Sequence, residues 1–84
     1  MDDAPLIDHI EALVEEEQQL LAREQRDAID GETLAGDRQR RERISIELDR
    51  CWDLLRRRRA LRDTGQDPET AQARDSDTVE RYLQ

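Results

Sequence analysis

Two runs of apolar residues at helical spacing, parted by a segment with two glycines, constrain this chain more than any other feature. Leu6, Ile7, Ile10, Leu13, Val14, Leu20 and Leu21 fall in the first run. One stripe through it reads 7, 10, 14, 17, 21, 24, 28, alternating steps of three and four as in a heptad seam. Glu17 and Glu24 interrupt it, so the seam is polar in its middle and towards its end. Ile44, Leu48, Cys51 and Leu55 keep the same repeat in the second run, with Trp52 beside them and Leu54 and Leu61 on the adjoining flank. The pattern predicts an all-α fold built on an antiparallel two-helix hairpin, coiled-coil-like in its packing.

The boundaries follow from capping chemistry. Pro5, whose fixed φ suits a first helical turn, opens a helix over about 5–28, and Asp2, Asp3 and Asp8 favour its positive end. Gly31 and Gly36 break the pattern. Gly31 is expected to close the first helix, and Asp37 or Thr33 to cap a second over about 38–63. Gly65 is the expected stop of that helix. Residues 1–66 thus form the hairpin and 67–84 a short docked tail. In the tail, Asp67-Pro68-Glu69 suits a helical turn around 68–73. Asp77 with Glu80 resembles a capping box ahead of Val79, Tyr82 and Leu83, which are expected to dock on the hairpin.

Charge sorts along the chain as sharply as apolarity does. The net charge of −8 divides into −10 over residues 1–37, +6 over 38–62 and −4 over 63–84. All 14 basic residues are Arg. A hairpin turning near residue 33 sets residue i beside residue 66 − i, so Asp8 is expected near Arg58, Glu16 near Arg50 and Glu24 near Arg41 and Arg43. An acidic helix then runs along a basic one, which favours the hairpin over two like helices side by side. The attached acidic partner also argues against nucleic-acid binding, since no aromatic interleaves Arg56–Arg59 to stack on bases. A nucleic-acid-associated regulator using that Arg-rich end is the alternative reading.

Function classes fall away in turn. The longest apolar run is three residues, against roughly 20 for a membrane span. The acidic start lacks the basic and apolar regions of a signal peptide, and one cysteine makes no disulfide framework, so a cytoplasmic protein is expected. A zinc site of the usual kind needs about four Cys and His ligands, whereas the chain has Cys51 and His9 alone. The same register leaves His9 more than a helical turn from Cys51, too far to act as its base. No catalytic residue, metal or cofactor is therefore expected. A hairpin has one interface and a thin core, which asks for further helices. Two hairpins pairing into a four-helix bundle, as a homodimer, would supply them. Trp52, part of the helix-two stripe, is expected first as an anchor of the core or dimer seam, with a partner hot spot as the alternative; the expected partner surface is Trp52 with Arg56, Arg58, Arg59 and Arg62.

The stretch Leu-Asp-Arg-Cys-Trp-Asp-Leu-Leu-Arg-Arg-Arg-Arg-Ala (residues 48–60), Gly65-Gln66-Asp67-Pro68 and the terminal Val79-Glu80-Arg81-Tyr82-Leu83-Gln84 are distinctive. With the acidic Glu15-Glu16-Glu17 run of the opening helix, they resemble a family of short actinobacterial helical proteins of unknown function. The resemblance implies a free-standing cytoplasmic protein and carries no activity, cofactor or catalytic residue.

Overall fold

The computed structural model describes residues 3–26, 30–73 and 80. Two long helices return on each other: α1, Ala4–Glu24, and α2, Gly31–Asp63. A short 3-10 turn, Pro68–Thr70, follows. Principal extents of 53 × 26 × 14 Å describe a single layer, because one helix with its side chains is about 10–12 Å across. The expected all-α hairpin is what the chain forms.

Each helix end has a chemical cause. Pro5 sits in the first turn of α1, where it forfeits no intrahelical bond. Asp30 caps α2: its carboxylate accepts from Thr33 N at 2.8 Å and from Thr33 Oγ1 at 2.9 Å. At the far end Gly65 takes φ +77°, its N–H donates to Arg62 O at 3.0 Å and Gln66 N donates to Leu61 O at 2.8 Å. That pair of bonds is a Schellman stop, which needs a left-handed residue at the glycine position. Asp67 then accepts from Glu69 N at 3.0 Å ahead of the Pro68 turn, as the sequence suggests.

The second helix begins seven residues earlier than expected, at Gly31 rather than 38. Gly31 and Gly36 are weak helix formers but not obligatory breakers, costing about 1 kcal/mol each against Ala. The Asp30–Thr33 cap and the ion pairs of the next two turns overcome that cost. Asp37, expected as a cap, lies inside α2 and is buried. On the other side of the turn α1 ends at Glu24, with Gln25 as its cap and Arg26 past its end, short of the expected Ala28; residues 27–29 lie outside the described set.

The core is one file of side chains from each helix: Ile10 and Leu13 against Ile44, Leu48, Cys51 and Leu55, with Leu6, Ile7, Val14 and Leu20 packed on its margin. Ile44 and Leu55 are the most completely enclosed. The α2 seam is thus the expected one. On α1 it is centred on Ile10 and Leu13, one position round from Ile10 and Val14. Val79, Tyr82 and Leu83, expected to dock, lie outside the described residues. Glu80 is described, half-buried, with its carboxyl hydrogen-bonded to Asp49 of α2.

Candidate functional site

An earlier turn changes the register, and the register decides which side chains meet. With α2 starting at Gly31, the turn centre moves from residue 33 to between residues 25 and 30. Glu16 therefore meets Arg40, not Arg50: Arg40 donates through Nε to Oε2 at 2.6 Å and through Nη2 to Oε1 at 2.9 Å. Arg50 instead reaches Glu47, one turn away on its own helix. Arg58 meets Asp3, not Asp8. Glu24 does find Arg41, as expected, and takes Arg38 as well at 3.0 Å. Near the turn the polarity reverses. Arg23 of α1 grips the buried Asp37 of α2, with Nε at 2.7 Å from Oδ2 and Nη2 on Oδ1. Such two-pronged guanidinium–carboxylate pairs fix orientation as well as adding attraction.

The Arg-rich end of α2 is consequently only half available. Arg58 Nε donates to Asp3 at 2.8 Å and Arg62 Nη1 at 2.7 Å. Asp3 is buried and its carboxyl is held far below the usual range by the Arg62 and Arg58 hydrogen bonds. Arg58 is left only 13% exposed along its side chain. Arg57 turns to Asp53 at 3.9 Å and to the Gln72 carbonyl. Of the expected partner surface, Arg56, Arg59 and Arg62 are exposed, and Arg58 and Arg62 are engaged by Asp3. Asp3 is a residue that sequence reasoning missed in this role, because its partners lie 55 and 59 positions away.

Trp52 is placed outward, 42% exposed, and is not a core residue. The buried seam of α2 runs 44, 48, 51, 55, and Trp52 stands about 40° beyond its Leu48 edge. There it lines an open groove of about 380 Å³ with Ile7, Ile10, Val14 and the exposed Glu11, Glu15 and Gln18 of α1. Trp52, Arg56 and Arg59 follow one another at i, i+4 and i+7, so they share a face of α2. Glu11 and Glu15 make the α1 rim of the groove acidic, and Arg56 and Arg59 follow Trp52 along α2 beyond the residues that line it.

The opposite edge of the core holds a polar cluster. His9 of α1 and Glu47 and Cys51 of α2, the latter two one turn apart, bring one ligand atom each within 4.8 Å of one another. His9 Nε2 lies 3.8 Å from Glu47 Oε1, and Cys51 Sγ lies 3.9 Å from the same oxygen. His9 is therefore beside Cys51, contrary to the distance expected from the register. The missing element was Glu47, which a count of Cys and His passes over. Burial first, then the Glu47 carboxylate, pushes the Cys51 thiol up from its ordinary value. That is the reverse of the low pKa that activates a cysteine nucleophile.

Among the described residues no helix is long and apolar enough to cross a membrane. No solved structure matches the chain. An uncharacterized protein of Mycobacterium bovis is 48% identical over 80 residues, covering 95% of this chain and 88% of the relative. Uncharacterized proteins from two strains of Mycobacterium tuberculosis match with the same identity and coverage. A family model described as "Protein of unknown function (DUF2630)" matches residues 2–84. With the relatives at that identity and the model spanning almost every residue, the chain belongs to this family of unknown function.

Proposed function

We propose that the hairpin is a cytoplasmic protein-interaction module whose first interaction is with itself, through the Trp52 face. The observation that carries this reading is a large aromatic left 42% exposed over an apolar groove. Among the described residues no third helix covers this face, and Trp is favoured where a partner is to be buried. A two-fold interface uses the same patch on both copies, and setting the Trp52 groove of one hairpin against that of the other would bury both. Two hairpins joined this way make the antiparallel four-helix bundle that thin helical pairs commonly adopt.

The engagement of Arg58 and Arg62 by Asp3 argues against the nucleic-acid alternative, since it leaves Arg56 and Arg59 as the outward pair on that face. Trp52, the only tryptophan, reports directly on self-association. On serial dilution of the protein its emission should shift to the red, and acrylamide should quench it more readily. An emission maximum and a quenching constant that are both independent of concentration would refute pairing through this face.

A further inference from the structure

We infer that His9, Glu47 and Cys51 form a binding site for one divalent transition-metal ion of the zinc class, which clips α1 to α2. The three ligand atoms come from both helices and already converge. Bond lengths of about 2.0–2.1 Å to nitrogen, 2.0–2.2 Å to oxygen and 2.3 Å to sulfur place tetrahedral ligand atoms about 3.3–3.6 Å apart. The observed His9–Glu47 and Cys51–Glu47 separations are 3.8 and 3.9 Å. Closing these two takes a few tenths of an ångström, and His9, within 4.8 Å of Cys51, moves in by up to about 1.5 Å to reach the tetrahedral spacing, a shift that side-chain rotation supplies, because His9 is 52% and Glu47 39% exposed along their side chains. Cys51 is the fixed member, buried in the core file.

Donor chemistry selects the ion. A thiolate, an imidazole and one carboxylate suit zinc and its neighbours, whereas calcium and magnesium prefer sets made of oxygen. On binding, the Cys51 thiol proton passes to solvent. The thiolate and the Glu47 carboxylate then balance the two positive charges, and His9 binds as neutral imidazole. Three protein ligands leave a fourth tetrahedral position, for water or a donor from outside. The physical return is a cross-link between helices whose core is one file deep, the kind of staple small scaffolds use.

The test uses the full chain stripped of metal with a chelator and kept reduced. Cobalt(II), a spectroscopic stand-in, should give visible bands of tetrahedral intensity and a near-ultraviolet thiolate band at one ion per chain, and zinc should displace it while magnesium does not. Zinc should raise the melting temperature of the wild type. The exposed His9→Ala change, which leaves the core file intact, should weaken zinc by at least about tenfold, and Cys51→Ser should abolish the thiolate band. Far-ultraviolet circular dichroism of each variant establishes that the helices persist. Should Cys51→Ser fail to fold, His9→Ala and Glu47→Gln decide the matter alone. Absence of zinc binding at about 10 µM, or binding that His9→Ala and Glu47→Gln leave unchanged, overturns the inference. One ion shared between two chains overturns it as a site of the single hairpin.

Discussion

The Trp52 face and the Arg-rich end of α2 lie about two turns apart on one helix, and each is the opposite of what its side chains suggest. Trp52 is apolar and open, 42% exposed. Arg58 is charged and closed, tied to a buried Asp3 together with Arg62. The contrast teaches that in a two-helix layer burial follows angular position and register more than residue type. Among the described residues, a side chain just beyond the seam has no second layer to cover it. A charge near the seam is covered if the other helix brings an opposite charge to the same level.

The largest effect that can sharpen this contrast is a truncation in the core file beside the same truncation on the open face. Leu55→Ala or Ile44→Ala should cost about 2–5 kcal/mol, as buried aliphatic side chains do. Trp52→Ala should leave the dilute chain close to its original stability. It should also remove the rise of melting temperature with protein concentration that self-association imposes. Thermal melts at several concentrations read both. A Trp52→Ala loss as large as that of Leu55→Ala in dilute protein would break the contrast, because Trp52 would then be acting as core.

Next in size is the closed end. Asp3→Asn removes the negative charge and one of the two acceptor oxygens facing two guanidinium groups and should lower the melting temperature clearly, whereas Arg59→Ala, on the exposed side, should change it little. Acid should act in the same direction as Asp3→Asn. Asp3, Glu16 and Asp37 are each held below their ordinary values of 3.8, 4.5 and 3.8, chiefly by hydrogen bonds from Arg62 and Arg58, from Arg40 and from Arg23. A depressed carboxyl stabilises the fold above its unfolded pKa and loses that contribution as the pH falls through the folded one. Melting temperature should therefore be level down to about pH 5 and fall below it. Glu80 works the other way. Its hydrogen bond to Asp49, together with burial, raises its pKa, so that contact favours the fold at low pH and fades as pH rises through the raised value.

The smallest expected effects are at glycines, and they test the early start of α2. Gly36 lies within α2, and a Cβ there meets nothing within 4 Å. Gly36→Ala should then stabilise the chain by about 0.5–1 kcal/mol. Gly65→Ala, at φ +77°, should cost about 1–2 kcal/mol. Equal effects at the two positions in chemical denaturation would place Gly36 outside the helix.

Much of the architecture is legible in the residues because it depends on local chemistry. The spacing of Ile44, Leu48, Cys51 and Leu55, the Gly65 stop and the Asp67-Pro68 turn each follow from a few neighbouring side chains. The start of α2 was harder to read. Two glycines argue for a loop, and what outweighs them is the Arg23–Asp37 and Glu24–Arg38 pairing across the turn. With the turn displaced, every expected long-range pair except Glu24–Arg41 is displaced with it. Asp3 with Arg58, Glu16 with Arg40, and His9 with Glu47 and Cys51 depend on register and leave no local signature. Trp52 sat in the right stretch but on the wrong side of the seam edge, since a helical wheel alone does not fix how wide the covering helix is.

The central claim is that the uncovered Trp52 face is closed by a second copy of the chain. Multi-angle light scattering over a concentration series tests it most directly. The account predicts that a chain of 9.9 kDa approaches twice that mass at high concentration and that Trp52→Ala stays at the monomer mass throughout. A wild-type mass fixed at the monomer value, or a dimer that Trp52→Ala leaves intact, would contradict it.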